Sequence, residues 1–230
     1  MNIVRAVILL AGGLVILWKS ADLLVVGAVA LAERLGVSPL IIGLTIVAMG
    51  TSAPEVAASI AAAIGDKGDI AIGNIFGSNI ANLALVGGLV ALIRPLKIQL
   101  RTLRREIPVM LLVALLLWPV LFDKNLSRPE GFVLLSVFAG LILLTVYLAR
   151  KEAVTQENKG TGAQEHKKRN TKKSVCFVAI GLAGLALGAE MAVEGAVFIG
   201  GRIGLSDAVI GLTIIAIGTS LLPVLIRPIQ

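Results

Sequence analysis

An apolar segment with a helix breaker at its centre is written twice in this chain, and that duplication limits the folds open to it. Residues 43–55 read GLTIVAMGTSAPE and residues 211–220 read GLTIIAIGTS. Gly43 falls on Gly211, an offset of 168 positions. The same offset lays Ala21 on Ala189, Gly27 on Gly195, Arg34 on Arg202, Gly36 on Gly204 and Ser38 on Ser206. Self-similarity of this kind means that one structural unit is built twice.

The segments around both copies are long and apolar enough to cross a bilayer, for which about twenty residues suffice. Only 15% of the residues are charged and the mean hydropathy is +0.95, against roughly one quarter charged in a soluble domain. The chain therefore reads as an all-α integral membrane protein. Pro54 lacks a backbone donor and clashes with the preceding turn, so a break is expected near Ala53, with its freed polar groups satisfied internally. Glu55 beside it is an ionisable group at membrane depth, which marks a functional site.

Other classes drop out. The net charge of +7 resides in short loops rather than on a basic face interleaved with aromatics, so it reads as an orientation signal and not as a nucleic-acid surface. One cysteine, Cys176, permits no internal disulfide, and one histidine, His166, lies in a hydrophilic stretch, so soft-metal chemistry is not expected. A nucleophilic serine would need a base that no membrane segment supplies. The apolar N-terminus reads as a first span rather than a signal peptide, because no cleavage pattern follows it.

Seven spans are expected, at about 3–31, 39–64, 70–93, 107–122, 131–149, 174–201 and 208–226. A hydrophilic, basic and disordered linker at 150–173 separates residues 1–149 (helices 1–5) from 174–230 (helices 6–7). The basic loops at 94–105 and 150–173 lie two spans apart and share one side, which the positive-inside rule makes cytoplasmic; counting back leaves the N-terminus outside. Five spans, an odd number, separate the copies. The second therefore enters the membrane inverted, and a site is expected near the midplane where the two broken helices meet.

The residues there suit a hard cation. Thr51, Glu55 and Ser59 recur every four positions, as do Asn74, Ser78 and Asn82 in the third span, so each trio reads as one polar stripe. Ca²⁺ takes six to eight oxygens from carboxylates, carbonyls, amides and water. Glu55, the Thr51 and Ser52 hydroxyls, carbonyls around Ala48 and the oxygens of Ser78 and Asn82 form a shell of that type.

GTSAPE in the second span, GNIFGSNIAN in the third and the inverted second GTS resemble the cation/calcium exchanger superfamily, nearest its bacterial potassium-dependent sodium/calcium exchanger-like group. The resemblance implies an inverted-repeat antiporter fold, here one complete five-helix repeat and the first two helices of the second. It implies Ca²⁺ and Na⁺ as transported ions, with K⁺ a further candidate, no cofactor, alternating access, and a bacterial inner (plasma) membrane location in contact with lipid. It carries ion binding to Ala48, Thr51, Ser52, Glu55, Ser78 and Asn82, and in the second copy to Ala216, Thr219 and Ser220, with Glu55, Thr51 and Thr219 closest to the metal. Under the offset Pro223 replaces Glu55, so a second carboxylate is absent, and a chain cut short in its second repeat and transporting weakly or not at all is expected. Two alternatives stay open: coupling to protons in a Ca²⁺/H⁺ antiporter, and a half-transporter or regulatory subunit.

Overall fold

The computed structural model describes residues 1–95, 100, 107–108, 111–112, 115, 126–157 and 171–220, with Leu40 and 149–157 described by backbone alone. All regular elements among them are helices. Helix α1 is Ile3–Arg34. Helix α2 covers 39–51 and α3 is Ala53–Ile64. Helix α4 is Gly68–Ile93, α5 Arg128–Glu157, α6 Thr171–Arg202 and α7 Asp207–Ser220. The expected fourth span, at 107–122, lies almost wholly outside the described residues.

The two copies have the same local structure. Helices α1 and α6 are each 32 residues long, and each ends on a glycine, Gly36 and Gly204, at φ 75°. In the first, the Val37 amide donates to the Ala32 carbonyl at 3.0 Å; in the second, the Leu205 amide donates to the Gly200 carbonyl at 2.9 Å. This is the same six-residue closure around a left-handed residue, a conformation that glycine adopts without steric cost. Both copies then enter a π-helical turn, Gly43–Val47 in α2 and Gly211–Ile215 in α7. The wider turn disturbs carbonyl pairing, and a threonine answers it in each copy: Thr45 donates to the Ile41 carbonyl and Thr213 to the Val209 carbonyl, both at 2.6 Å.

The predicted break is present. Ser52 leaves helical geometry at φ −92°, ψ 1°, and the helices before and after it bend by 48°. Pro54 stands in the first turn of α3, where its missing donor costs least.

Helices α1 and α6 pack antiparallel. A methyl group at Gly13 would meet the backbone of Gly188 and Ala192, and one at Gly181 would meet Ser20 and Leu24. Gly27 faces Ser174 and Val178, while Gly195 faces Ala6 and Leu10. Under the offset each contact maps onto its counterpart, so the crossing has an approximate two-fold axis. Leu17 and Leu185, equivalent residues, lie beside it in one buried cluster with Ala21, Ala189 and Ala192. Small residues permit this approach, which in lipid takes over the role that hydrophobic burial plays in water.

Residues 1–89 and 160–230 form one compact unit and 90–159 another. The sequence repeats therefore do not correspond to separate bodies, since α1, α3, α4, α6 and α7 pack in the same unit. In the other unit α5 begins at Arg128 rather than the expected Gly131. The Glu130 carboxylate accepts from the Ser127 amide (2.7 Å) and hydroxyl (2.6 Å), the carboxylate half of a capping box, which starts the helix earlier. Helix α5 also runs to Glu157 and α6 starts at Thr171, so 150–157 and 171–173 of the expected disordered linker are helical. Lys151, Glu152 and Ala153 are good helix formers that extend the span. Residues 158–170 lie outside the described part.

The two GLTI glycines differ in surroundings. A methyl at Gly43 would meet nothing within 4 Å, whereas one at Gly211 would press on the Ile70 carbonyl and sit 2.9 Å from the Asn74 amide nitrogen. Gly43→Ala is expected to be neutral or to stabilise by up to about 1 kcal/mol through helix propensity. Gly211→Ala should destabilise by about 1–3 kcal/mol through overpacking. Paired thermal melts in detergent check the contrast.

Candidate functional site

The break at Ser52 aims the first turn of α3 into the unit, and the turn Gly65–Lys67 sends α4 back along it. Inside this hairpin Asn74 is wholly buried. Its amide nitrogen donates to the Glu55 carbonyl at 3.0 Å and to the Ser59 hydroxyl at 2.9 Å. The Ser59 hydroxyl reaches the Ala71 carbonyl at 3.5 Å, which ties the two helices a second time.

Helix α7 closes the other side. Gly73 and Gly77 of α4 face Ala208, Leu212 and Ala216 so closely that a methyl at either would meet backbone. The contact brings in the end of the second copy. The Ser220 hydroxyl donates to Glu55 Oε1 at 3.2 Å, joining residues 165 positions apart. Thr219 is buried beside it, its hydroxyl on the Ile215 and Ala216 carbonyls at 3.1 and 3.2 Å. Ala216 is wholly buried and Ser78 nearly so, with the Ser78 hydroxyl on the Ile75 carbonyl at 3.1 Å.

The expected site residues thus separate into two groups. Glu55 and Ser220 meet, with Thr219 and Ala216 buried beside them on α7, and Ser78 is buried one turn beyond Asn74 on α4. Ala48, Thr51 and Ser52 are exposed, and the Thr51 hydroxyl is turned onto the Ala48 carbonyl at 2.7 Å. The Thr51, Glu55, Ser59 stripe assumes one continuous helix; the bend at Ser52 interrupts it, so Glu55 and Ser59 keep their relation while Thr51 leaves it. Asn82 is exposed as well. It lies in the π-helical turn Ala81–Val86, where more residues per turn carry the four-residue spacing off its face. Position 223, the counterpart of Glu55, lies outside the described residues.

Asn74 is the residue that the motif match passed over. Its signal was present, because it starts the stripe that Ser78 continues, but spacing alone does not say which of three stripe members is innermost.

Among the described residues two buried side-chain oxygens have no hydrogen-bond partner: Glu55 Oε2 and Asn74 Oδ1. An unpaired buried acceptor costs about 1–3 kcal/mol, more if charged. A carboxylate with one oxygen held by a hydroxyl and the other unpaired, among further hydroxyls and helix-end carbonyls, is a donor set of the kind that hard cations prefer. Near one membrane surface, Lys67 and Asp207 add a tie between the copies at 3.3 Å, both too exposed for it to weigh much.

The geometry has counterparts. The family model described as sodium/calcium exchanger protein matches residues 5–147 and 173–225. Inner membrane protein YrbG of Escherichia coli (strain K12) is 40% identical over 223 residues, which is 94% of this chain and 67% of YrbG. Sodium/calcium exchanger MaX1 of Methanosarcina acetivorans is 35% identical over 243 residues, 91% of this chain and 69% of that protein. Solved structures of the sodium-calcium exchanger NCX_Mj, one of them soaked with 100 mM Na⁺ and 10 mM Sr²⁺, superimpose with a TM-score of 0.53 at 31% identity, covering 96% of this chain and 70% of theirs. A match over both copies, in sequence and in structure, leaves one assignment: the chain belongs to the sodium/calcium exchanger protein family.

Proposed function

We propose that this chain moves Ca²⁺ against Na⁺, at best weakly, by alternating access at a site centred on Glu55. The observation that carries the reading is the hydrogen bond from Ser220 to Glu55. It joins the broken helix of one copy to the matching helix of the other at the junction where inverted-repeat transporters hold their ions. Glu55 supplies the charge and one or two oxygens. Thr219, Ser220 and Ser78 supply hydroxyls, and the Ala216 carbonyl, which accepts from Thr219, supplies a further oxygen. Ala48, Thr51, Ser52 and Asn82 serve the open side of the same site. No cofactor takes part, and K⁺ is a possible third ion.

Alternation requires the site to face each side in turn. The α1–α6 pair is suited to move because glycine and alanine line its crossing and allow sliding without interlocked side chains. With Glu55 as the one carboxylate described at the site, Ca²⁺ is held weakly, since affinity rises with the number of charged ligands. The orientation places the N-terminus outside and the segment around 150–173 in the cytoplasm of a cell with an inner (plasma) membrane.

Reconstituted vesicles test the ion reading. A Na⁺ gradient should drive ⁴⁵Ca²⁺ uptake that Glu55→Gln, equal in shape but uncharged, lowers by at least about a hundredfold, the expected loss when a site gives up its charged ligand at about 3 kcal/mol. Uptake that follows a pH gradient and ignores Na⁺ would instead establish proton coupling. Orientation is tested with the chain's own thiol. Cys176 is exposed about 14 Å along α6 from the Leu185 crossing, at 1.5 Å per residue. A membrane-impermeant maleimide should label it in inside-out vesicles and not in right-side-out ones; the reverse pattern would overturn the topology.

A further inference from the structure

We infer that Asn74 is the positioning residue of the site. It holds the main chain of Glu55 at the height and rotation from which the carboxylate meets the second copy. Three observations combine. Asn74 has no exposed surface. Its one nitrogen serves two acceptors on successive turns of α3, the Glu55 carbonyl at 3.0 Å and the Ser59 hydroxyl at 2.9 Å. Its own Oδ1 is buried without a partner.

The last point gives the argument its direction. A buried residue needed only to fill space would be apolar, and native chains retain few unpaired buried polar atoms. Asn74 is kept with its carbonyl unsatisfied, and an amide NH₂ is the small group that carries two hydrogens able to reach two acceptors at once. A serine there would serve one acceptor, and an alanine none.

The acceptors show what is being held. The Glu55 carbonyl belongs to the first turn of α3, immediately after the 48° bend, where a helix is least constrained by what precedes it. Without a lateral tie that turn can rotate or slide. The carboxylate lies at the end of a flexible side chain, so a small shift of its main chain breaks the 3.2 Å contact with Ser220. The α4 backbone that carries Asn74 is itself held by α7, since Gly211 lies against the Ile70 carbonyl and the main-chain nitrogen of Asn74. Helix α7 therefore fixes α4, Asn74 transfers that position to α3, and Glu55 is presented to the α7 end that carries Ser220.

The functional consequence rests on the reading of Glu55 as an ion ligand; the positioning itself does not, and the experiment separates the two. The clamp grips the Glu55 main chain and so survives Glu55→Cys. In a Cys176→Ser background, Glu55→Cys with Ser220→Cys is treated with a short bifunctional methanethiosulfonate, with and without Asn74→Ala. Ser20→Cys with Gly184→Cys, positions whose Cβ atoms would lie 3.0 Å apart, reports on the α1–α6 crossing. Asn74→Ala should slow cross-linking of the first pair at least fivefold and leave the second unchanged. Ser59→Ala should slow the first pair less, and add little on top of Asn74→Ala, because both act through one nitrogen. Equal rates with and without Asn74 overturn the inference. Loss of both cross-links marks a general packing role and overturns it too.

A second arm measures Ca²⁺ and Mg²⁺ binding in nanodiscs. Asn74→Ala should weaken Ca²⁺ by about 10–100-fold, as removal of outer partners of metal ligands does, and should lower the Ca²⁺ to Mg²⁺ preference, which a mere loss of folded protein would not. Absence of Ca²⁺ binding in the unsubstituted chain would sink the ion reading and leave the cross-linking result to decide Asn74.

Discussion

One contact, the Ser220 hydroxyl on the Glu55 carboxylate, depends on every other feature of the fold. It requires that α3 be broken from α2, that the second copy run inverted to the first, and that α7 approach α4 to backbone distance. Each requirement has its own physical support. The break uses a proline where the missing donor is harmless, the inversion shows in the antiparallel two-fold crossing of α1 and α6, and the approach depends on Gly73, Gly77 and Gly211, where any side chain would collide with main chain. In lipid, where apolar surface has little to gain by leaving its surroundings, such contacts come from close packing and from polar groups that need partners.

The pseudo-two-fold crossing of α1 and α6 gives that arrangement its frame. Leu17 and Leu185 mark the axis, and equivalent glycines meet equivalent partners on either side. The symmetry holds for local conformation as well: the paired φ 75° glycines, the paired π-helical turns and the paired threonine back-bonds all recur at one offset. It ends at the environment. Gly43 is open and Gly211 covered; Thr51 and Ser52 are exposed, while Thr219 and Ser220 are buried. Identical local instructions give different surroundings because α4 lies along the second copy at Gly73, Gly77 and Gly211, whereas it meets the first copy beyond the bend, at α3.

For a transporter of the exchanger family this asymmetry bears on how the site acts. In the covered half Glu55 is held at its carbonyl by Asn74 and at its carboxylate by Ser220 of α7. The exposed half, with Ala48, Thr51 and Ser52, is tied locally, the Thr51 hydroxyl on the Ala48 carbonyl at 2.7 Å, and has no side-chain hydrogen bond to the covered half among the described residues. A site with one fixed wall and one free wall suits an ion that must be bound and then released.

Much of this was legible from the residues. Helix type, the break, the inverted pairing and the importance of Glu55 follow from period, apolar length and a proline, because in a bilayer unsatisfied backbone excludes nearly every alternative. Distances across the fold were not legible in that way. Spacing put Thr51, Glu55 and Ser59 on one face, and the bend divided them; spacing put Asn82 with Ser78, and a π-helical turn parted them; it ranked Asn74 no higher than its stripe neighbours, and packing made it the innermost. Periodicity assumes a straight helix of constant pitch, so it holds within one uninterrupted element and fails where pitch or direction changes. Burial depends on which helix arrives from elsewhere in the chain, and only the assembled fold decides that.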